Sequence, residues 1–585
     1  MKKRKYIFVI GGVMSGIGKG ITSSSIGKIL QFRGLKVTAI KVDPYVNVDA
    51  GTMNPTEHGE VSVLDDGYET DQDMLNYERF LNITLPNNNY MTTGRVYRAV
   101  IERERNLGYK GKCVQVVPHI PQEIIRRIEK AGELADADIV MIEIGGTVGE
   151  YENILFLEAA RMLRTKYPED VLYVMLSFLP IPSKIGEMKT KPTQHAVRTL
   201  NSTGIQPDIL IARSEVPLDK RRKEKIALFC NIDVKNVISA PDVESIYDVP
   251  LNFEKDKISD TIIEKLNLQR RAKKSDLSKW KNFVKKVHNG GKEVNIAIVG
   301  KYFDSGDFVL SDSYISVIEA IKFSAYKLNL KPKIHWLNSK DFEPASPAGR
   351  PARRGGGTGK LKLTSLKKYD GVIVPGGFGS TGTEGKIKVI QYVRENSIPF
   401  FGLCYGMQLA VIEFARNVLG WEDAHTVEIN PKTEHPVIDI MPEQKAKLSK
   451  NDYGGTMRLG ACPAVLKKGT IAQKAYGCEN ITERHRHRFE VNPEFIEELS
   501  GRENGLIFSG TSPDGKLMEI IELRNYKCGD TIPTSRYKHG DGIPTFASGH
   551  PFFLATQFHP EFLARPLNPH PLFTAFLKVC GENKK

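Results

Sequence analysis

The chain has 585 residues, of which 40% are hydrophobic and 26% charged, and its formal net charge is +14 at pH 7. Because globular domains usually hold about 100–200 residues, this length predicts two to four domains. No apolar run reaches the roughly 18 residues of a membrane-spanning helix, and the apolar start breaks into glycines too early for a signal peptide. We therefore expect no membrane association and a cytoplasmic location.

The cysteines and the charge exclude further classes. The seven cysteines form no CxxC pair, which argues against a disulfide scaffold and against structural zinc. A strongly basic chain suits polyanionic partners. Since neither zinc-finger spacing nor an RNP-type aromatic pattern is present, the sequence favours nucleoside triphosphates over nucleic acid as partners.

Apolar runs alternate with helical patterns over residues 1–266. The runs that predict buried strands are residues 6–10, 37–42, 139–144, 172–177 and 209–212. Strands that are separated by helices indicate a parallel, doubly wound sheet. We therefore predict an α/β domain over residues 1–266.

A polar, Lys-rich stretch over residues 267–293 predicts an interdomain linker with a helical piece around Trp280. A second α/β domain is predicted over residues 294–580, with strands at 294–299, 371–374 and 399–403. Inside it, residues 344–360 and 527–548 are predicted to be surface loops. The first consists mainly of Pro, Gly, Ala and Arg, and such a segment buries no apolar face.

The glycine-rich segment GGVMSGIGKG, residues 11–20, directly follows the first predicted strand and precedes a helical pattern. Glycines let backbone N–H groups face phosphate oxygens, while the helix N-terminus and Lys19 add positive charge. The strict P-loop has Ser or Thr after the Lys, where this chain has Gly20. A purely structural glycine turn is the alternative, but the strand–loop–helix context favours phosphate binding.

Acidic residues offer the hard oxygen ligands that Mg²⁺ prefers. Glu143 stands at the end of an apolar strand, on the ligand side of an open α/β sheet. Asp71 and Asp73 form a second acidic group, for which a solvated loop is the alternative. The segment KTKPTQH, residues 189–195, suits a second anionic ligand or is an ordinary charged loop.

In the second domain, the segment FFGLCYGMQLAV predicts a strand, a sharp turn at Cys404 and a helix. This is a nucleophile elbow with Cys in the place of Ser. A Cys nucleophile needs a base, and the base needs a group that orients it. In FHPE, His559 and Glu561 stand two residues apart and point the same way on an extended segment. His485 and His487 are competing histidines, but their Arg-rich context indicates recognition rather than catalysis.

An acyl intermediate also needs an oxyanion hole. The segment PGGFG, residues 375–379, follows an apolar strand and exposes backbone N–H groups. The candidate donors are the N–H groups of Gly377 and Tyr405.

Together these segments are similar to a class I glutamine amidotransferase fused behind a P-loop-like synthetase, and the chain resembles the CTP synthase family. The stretches that carry the resemblance span most of the chain and are GGVMSGIGKG, KVDPYVNVDAGTMNPTEHGEV, ETDQD, VQVVPHI, EIGGTVGE, GEMKTKPTQH, GIQPDI, KIALFCN, VPGGFG, GLCYGMQ, GGTMRLG, ERHRHRFEVN and QFHPEF. The resemblance implies two doubly wound, mostly parallel α/β domains. The first would be similar to P-loop and dethiobiotin-synthetase domains, and the second to class I glutamine amidotransferases.

The resemblance also implies the reaction. ATP phosphorylates O4 of UTP with Mg²⁺ as cofactor, glutamine is hydrolysed at the other site, and ammonia crosses an internal tunnel to displace the phosphate and give CTP. This is the last committed step of de novo CTP synthesis. CTP inhibits it at a site that overlaps the UTP site, and GTP activates it near residues 103–111 and Arg458. The family forms homotetramers that can stack into filaments.

Residue roles in the first domain are implied by the matching motifs. The residues implied for ATP and phosphate are Ser15, Gly16, Ile17, Gly18, Lys19, Gly20, Lys41, Asp73, Arg213 and Asp242. Those implied for Mg²⁺ are Asp73 and Glu143. Those implied for UTP and CTP are Ser15, Glu150, Glu152, Lys189, Lys191, Gln194 and Lys225.

In the second domain, the motifs imply Cys404, His559 and Glu561 as the catalytic triad. The residues implied for glutamine are Gly377, Tyr405, Gln408, Glu428 and Arg488. An acid and an arginine suit a substrate that carries both an ammonium group and a carboxylate.

The chain departs from the family pattern at two of these positions. Glu150 stands where Asp is expected, which could retune inhibition by CTP. Tyr405 stands where Leu is usual, and its ring could narrow the glutamine site or the tunnel mouth. Two other readings remain open: a different glutamine-dependent ligase of the cobyrinate amidase type, which KTKPTQH and HGEV disfavour, and a filament protein with secondary catalysis, which the intact triad disfavours.

Overall fold

The computed structural model describes residues 3–54, 59–184, 186–301, 311–343, 363–377, 379–441, 457–501, 505–523 and 549–582. Both predicted surface loops, residues 344–360 and 527–548, lie outside these ranges. The described chain divides into two compact units. The first comprises Met1–Ala50 and Thr70–His288, and the second comprises Gly51–Glu69 and Asn289–Lys585.

The first unit is built on a parallel sheet whose strand order is β5-β2-β6-β1-β7-β8-β9. Its strands are β1 (Lys5–Gly12), β2 (Val37–Asp43), β5 (Tyr90–Thr92), β6 (Ile139–Ile144), β7 (Val171–Phe178), β8 (Ile209–Ser214) and β9 (Val237–Pro241). The central strands are buried along almost their whole length, as is expected where helices cover both faces of a sheet. The α/β fold predicted from the apolar runs is confirmed.

Helices connect these strands. They are α1 (Lys19–Phe32), α2 (Gln72–Leu81), α3 (Thr93–Arg105), α4 (Val116–Leu134), α5 (Ile154–Lys166), α6 (Lys191–Ser202), α7 (Lys220–Cys230), α8 (Val249–Lys255), α9 (Ile258–Lys265) and α10 (Ser278–His288). Helix α10 lies in the stretch that the sequence predicts as a linker. Its Trp280 is fully buried within the first unit and packs against Tyr247 and Phe80.

The second unit has a mixed sheet with the order β11-β10-β12-β13-β20-β19-β18-β15-β16. The strands from β11 to β20 in this order are parallel, and those beyond β20 are antiparallel. The strands of this unit are β3 (Ser62–Val63), β10 (Lys292–Gly300), β11 (Leu330–Asn338), β12 (Gly371–Val374), β13 (Phe400–Leu403), β14 (Ile438–Ile440), β15 (Arg458–Leu466), β16 (Asn480–His487), β17 (Phe489–Val491), β18 (Leu506–Thr511), β19 (Met518–Leu523) and β20 (Phe553–Thr556). Strand β4 (Glu69–Thr70) lies where the chain returns from the second unit to the first.

The helices of the second unit are α11 (Ile315–Lys327), α12 (Thr383–Glu395), α13 (Tyr405–Asn417), α14 (Ile471–Tyr476), α15 (Ile496–Leu499) and α16 (Pro571–Glu582). Helix α13 is the most central of them, and almost every residue from Tyr405 to Ala415 is buried. In both units, the candidate site residues follow the carboxyl ends of parallel strands, which is where open α/β sheets bind ligands.

Candidate functional site

The glycine-rich loop of the first unit joins the end of β1 to the start of α1. Gly16 and Gly18 have φ angles of +70° and +93°, which only glycine adopts without strain. Helix α1 begins at Lys19, and the Nζ atom of Lys19 donates a hydrogen bond to the carbonyl oxygen of Gly146 at 2.8 Å. The predicted strand–loop–helix arrangement is therefore present, with the Lys19 amine tied to the strand end beside it.

Asp73 explains why glycine follows Lys19. A Cβ atom at Gly20 would clash with the carboxylate of Asp73. The Ser or Thr of a strict P-loop would therefore displace this carboxylate. Glycine at this position thus lets the Asp73 carboxylate approach the start of helix α1, a contact that the sequence alone does not reveal.

Carboxylates converge on the buried amine of Lys41 at the end of β2. Its Nζ atom contacts the carboxylate of Asp73 and lies 3.1 Å from Glu143, 3.5 Å from Asp43 and 3.6 Å from Asp71. Although burial disfavours the ammonium form, these four carboxylates raise the pKa of Lys41 well above its usual value. Lys41 is therefore a fixed positive charge.

The carboxylates of this group differ from one another. Burial and the neighbouring Asp43 raise the pKa of Asp71 well above its usual value. Burial opposes ionisation of Asp73 too, but Lys41 lowers the pKa of that carboxyl. Burial raises the pKa of Glu143, which also accepts a hydrogen bond from the hydroxyl of Tyr77. The sequence reasoning missed Asp43. This residue stands at the end of an apolar strand, as Glu143 does, so the criterion that predicted Glu143 could also have found Asp43.

The carboxylates of Asp73 and Glu143 suit Mg²⁺ in their chemistry and converge on one point, the amine of Lys41. Within the described ranges, no group of three or more His, Cys, Asp or Glu side chains is arranged to hold a metal ion by itself. Mg²⁺ commonly takes one or two protein carboxylates and completes its shell with water and substrate phosphates. The residues present therefore fit an ion that arrives with a nucleotide.

Two other predicted ATP-site residues lie together beside the glycine-rich loop. Nε of Arg213 lies 3.2 Å from a carboxylate oxygen of Asp242. The Nη1 atom of the same arginine lies 3.5 Å from the carbonyl oxygen of Gly16. The ends of β8 and β9 thus bring both residues to the same edge of the sheet as the loop.

The residues implied for UTP and CTP lie in several local settings. Lys189 pairs with Glu187 at 2.6 Å, and Gln194 donates to the hydroxyl of Thr190 at 3.1 Å. The carboxylate of Glu150 lies close to Gly146. The Lys191 amine lies 5.4 Å from the ring centre of Phe229. Glu152 lines a small cavity together with Tyr97 and Phe156. Lys225 lies on α7, and it adds to the effect of Lys189, which is the main cause of the lowered pKa of Glu187.

Cys404 occupies a sharp turn between β13 and α13. Its φ and ψ angles are +49° and −100°, a conformation in which a non-glycine residue is strained. A Cβ atom at Gly402 would lie 2.7 Å from the side chain of Ala555, and one at Gly406 would clash with the carbonyl oxygen of Val374. Glycine is therefore required on both sides of the turn that carries the thiol, as a nucleophile elbow requires.

His559 follows β20 and lies beside this turn. Its Nδ1 atom lies 2.8 Å from Oε1 of Glu561, and among the described residues its Nε2 atom has no hydrogen-bond partner. A Cβ atom at Gly376 would lie 3.1 Å from the His559 ring and 3.7 Å from Cβ of Cys404. Burial alone would lower the pKa of His559, but Cys404 and Glu561 raise it to about 10. The ring therefore favours the imidazolium form beside the thiol.

A cavity opens on Cys404 and contains residues that the sequence reasoning did not assign to it. Its lining includes Gly377, Arg486 and His559, together with Glu60 and Val61 from the segment Gly51–Glu69. Within the second unit, Glu60 accepts hydrogen bonds from the backbone N–H and hydroxyl of Ser316. The local sequence around Glu60 and Val61 does not predict that they line this cavity. Their position depends on contacts with residues that are far away in the chain, such as Ser316.

Arginines of β16 fix the same segment. Nε of Arg484 lies 2.5 Å from Asp65, and Nε of Arg486 lies 2.8 Å from Glu69. Arg484 is fully buried. These contacts give the Arg-rich run a structural role within the second unit.

The residues implied for glutamine lie around the elbow. Gln408 donates to the carbonyl oxygen of Phe489 at 2.8 Å, and Glu428 accepts from the N–H of Gly379 at 3.1 Å. The carbonyl oxygen of Arg488 accepts from the N–H of Met441 at 3.3 Å. Gln557, which sequence reasoning missed, places its amide nitrogen 3.7 Å from the sulfur of Cys404.

The ring of Tyr405 lies elsewhere than expected. Its side chain is not among the groups that line the Cys404 cavity in the described structure. It is buried, and its hydroxyl lies 3.0 Å from the hydroxyl of Thr383. Among the described residues, the Tyr405 ring therefore does not narrow the cavity at Cys404, contrary to the expectation for the glutamine site.

The competing histidines, His485 and His487, are buried and bonded to each other, with their ring nitrogens 3.1 Å apart. Burial and the nearby Arg458 lower the pKa of both well below the usual value. Both are therefore neutral. Arg458 pairs with Glu490 at 2.9 Å and with Glu519 at 2.7 Å.

Comparisons with known proteins identify the family to which the chain is similar. The model of the CTP synthase N-terminus matches residues 5–268, and that of class-I glutamine amidotransferases matches residues 309–529. A CTP synthase of Carboxydothermus hydrogenoformans is 49% identical over 582 residues and covers 99% of both chains. Another, of Methanococcus maripaludis, is 48% identical over 579 residues, which is 99% of this chain and 100% of that protein.

One solved structure is the glutaminase domain of Trypanosoma brucei CTPS with bound acivicin. It is 33% identical, covers 50% of this chain and 95% of that chain, and has a TM-score of 0.38.

In the described part of this chain, no helix is long and apolar enough to span a membrane.

Proposed function

Since the chain belongs to the CTP synthase family and is a glutamine-dependent carbon–nitrogen ligase, we propose that it runs this reaction at two sites, one in each unit. The first unit activates UTP with ATP, and the second releases ammonia from glutamine. The observation that carries the proposal is that each unit brings together groups whose chemistry suits its half of the reaction. These groups are the glycine-rich loop with Lys41 and its carboxylates, and Cys404 with the His559–Glu561 pair.

In the second unit, the Cys404 thiolate attacks the side-chain carbonyl carbon of glutamine. The backbone N–H groups of Gly377 and Tyr405 stabilise the oxyanion that forms. The His559 imidazolium then gives its proton to the leaving nitrogen, so that ammonia departs and a thioester remains. The neutral ring takes a proton from water, which hydrolyses the thioester to glutamate and regenerates the thiolate.

Charged groups of the same unit would select the substrate. Glu428 is proposed to accept from the ammonium group of glutamine and Arg488 to bind its carboxylate, while Gln408 supports the site through its amide. An acid and a base held apart in this way select an amino acid over a simple amide.

In the first unit, residues 15–20 and Lys19 bind ATP phosphates, and Arg213 and Asp242 lie near the base and ribose. Lys41 steadies the transferred phosphoryl group on its way to O4 of UTP. Asp73 and Glu143 would hold Mg²⁺, whose chemistry when bound is to neutralise phosphate charge. Ammonia then attacks C4 and phosphate leaves, which gives CTP. Lys189, Lys191, Gln194 and Lys225 bind the triphosphate of UTP, and Glu150 and Glu152 lie near the ring or ribose of CTP.

The remaining proposals concern ammonia transfer and regulation. Ammonia passes to the first unit inside the protein, because in water at neutral pH most of it becomes unreactive ammonium. CTP inhibits the enzyme, GTP activates it, and the chain works in the cytoplasm as a homotetramer that can form filaments.

The test is the conversion of UTP to CTP with ATP and Mg²⁺, followed by ultraviolet absorbance, with either glutamine or ammonium chloride as nitrogen source. Cys404→Ala should abolish the glutamine-dependent reaction and retain the ammonia-dependent one. Lys19→Ala should lose both, whereas Lys28→Met, a change on the same helix beside Phe32, should lose neither. Loss of both reactions in a folded Cys404→Ala protein would refute the two-site proposal.

A further inference from the structure

A group of buried side chains surrounds Tyr405 on the side away from the Cys404 cavity. Lys301 and Lys386 both place their Nζ atoms 5.5 Å from the centre of the Tyr405 ring. Such a distance is typical of cation–π contacts. The Tyr405 hydroxyl lies 3.0 Å from the hydroxyl of Thr383. The ring is thus held at its hydroxyl end and by two amines.

The same side chains reach the backbone of Gly379. The Nζ atom of Lys301 donates to the Gly379 carbonyl oxygen at 3.1 Å, and the Tyr405 hydroxyl lies 3.5 Å from the same oxygen. On its other side, the N–H of Gly379 donates to Glu428 at 3.1 Å. Glycine adopts positive and negative φ angles about equally well. The backbone alone therefore does not hold Gly379 at its φ of +78°, and these contacts help to hold it there.

Gly379 lies two residues after Gly377, whose N–H is one of the two proposed oxyanion donors and which lines the Cys404 cavity. The other proposed donor is the backbone N–H of Tyr405. A single residue therefore supplies one donor from its backbone and contacts, through its side chain, the loop that carries the other. Two donors act together only if their separation is fixed to a fraction of an ångström.

We propose that the Tyr405 hydroxyl and the Lys301 ammonium are positioning groups that hold the backbone of Gly379, and through it the nearby Gly377, at the correct distance from the elbow for glutamine hydrolysis. Neither group touches the reacting atoms. Their effect is on the rate of the step in which the oxyanion forms, and not on the nucleophilicity of Cys404. This inference rests on the proposed glutamine hydrolysis at Cys404.

The test uses Tyr405→Phe, which keeps the ring, and Lys301→Met, which keeps the chain length and removes the charge. We expect kcat of glutamine hydrolysis to fall about 3- to 10-fold in the first and about 10- to 100-fold in the second, as loss of a neutral and of a charged hydrogen bond implies. KM for glutamine should change far less than kcat. In a double mutant the two effects should be less than additive, because both groups act on the same carbonyl oxygen.

Two controls separate positioning from a general loss of structure. The rate of Cys404 alkylation by iodoacetamide needs the thiolate but no oxyanion hole, so it should stay within about twofold of the unmodified enzyme. Tyr476→Phe removes the hydroxyl of a half-buried tyrosine, which donates to Glu483 at 2.7 Å, and should leave kcat unchanged. Lys301→Arg, which keeps a donor, should recover part of the lost rate.

The outcomes are distinguishable. If the unmodified enzyme hydrolyses glutamine, Cys404→Ala does not, and both Tyr405→Phe and Lys301→Met keep the full kcat, the positioning role is overturned while the proposed function stands. The same conclusion follows if alkylation of Cys404 falls as much as kcat. If Cys404→Ala still hydrolyses glutamine, the proposed function itself fails.

Discussion

The Nζ atom of Lys41 lies 3.1 Å from Oε1 of Glu143, in the first unit, where both side chains are almost fully buried. Asp43, Asp71 and Asp73 surround the same amine. The group therefore contains more carboxylates than amines, even with Lys19 beside it. This surplus of buried carboxyl groups, which raises the pKa of Asp71 and Glu143, favours the arrival of a cation.

We expect Glu143→Gln to lower CTP formation about 100-fold or more with either nitrogen source. The amide keeps the shape of the side chain but removes the charge that would hold Mg²⁺ and that faces Lys41. Glutamine hydrolysis by the second unit is the internal control and should persist. Ammonia-dependent CTP formation at the normal rate would contradict the proposed role of Glu143.

Gly406→Ala should abolish glutamine-dependent CTP formation. Its Cβ atom would clash with the carbonyl oxygen of Val374, which is backbone and yields little. We expect the turn at Cys404 to shift and the unfolding free energy of the second unit to fall by about 1–3 kcal/mol. Thermal unfolding followed beside the two CTP assays measures both effects. A variant that retains glutamine hydrolysis would show that the elbow tolerates a side chain there.

Glu561→Gln should reduce kcat of glutamine hydrolysis about 100-fold or more, because the His559 ring loses the group that orients it. Since Glu561 is one of the two groups that raise the pKa of His559, its loss should also move the alkaline limit of activity to lower pH. The pH profile of kcat, measured from pH 6 to 10.5, reports this shift. An unchanged alkaline limit would mean that Cys404, without a contribution from Glu561, raises the pKa of the His559 ring.

Stability should depend on pH through His559, whose pKa is raised from 6.5 to about 10 in the folded protein. A raised pKa stabilises the fold fully below the unfolded value, and this contribution is lost as pH rises towards about 10. The melting temperature lost in His559→Gln should therefore be larger at pH 7.5 than at pH 10.

His550 provides the matched control for this measurement. It is buried in the same unit, and burial lowers its pKa to about 4. Its ring is therefore neutral throughout this range, and the loss caused by His550→Gln should not shrink between pH 7.5 and pH 10. A constant loss in His559→Gln would show that the ring is neutral in the folded protein.

Much of the fold could be predicted from the sequence because the central strands are apolar over most of their length. The run at residues 139–144 has the same bounds in the structure as in the prediction. The three-residue strand Tyr90–Thr92 was missed, because so short an edge strand has no pattern of its own. The antiparallel strands from β15 to β19 were also not predicted.

The candidate site was predictable to the extent that it depends on local chemistry. Cys404 and His559 each follow an apolar strand of the second unit, and Glu143 stands near the end of an apolar strand of the first. Within each sheet, the carboxyl ends of parallel strands lie at one edge. The close approach of the Asp73 carboxylate to Gly20 and the direction of the Tyr405 ring depend on neighbours that are distant in sequence. No local pattern encodes these contacts.

The segment Gly51–Glu69 has a consequence for how the two units can be separated. The chain passes from one unit to the other after Ala50, after Glu69 and after His288. A single cut after His288 would therefore not release an intact second unit, since Arg484 and Arg486 would lose the carboxylates of Asp65 and Glu69. We therefore expect a gene fragment that begins at residue 289 to encode an incomplete second unit, so that exchange of this unit between enzymes would need two segments rather than one.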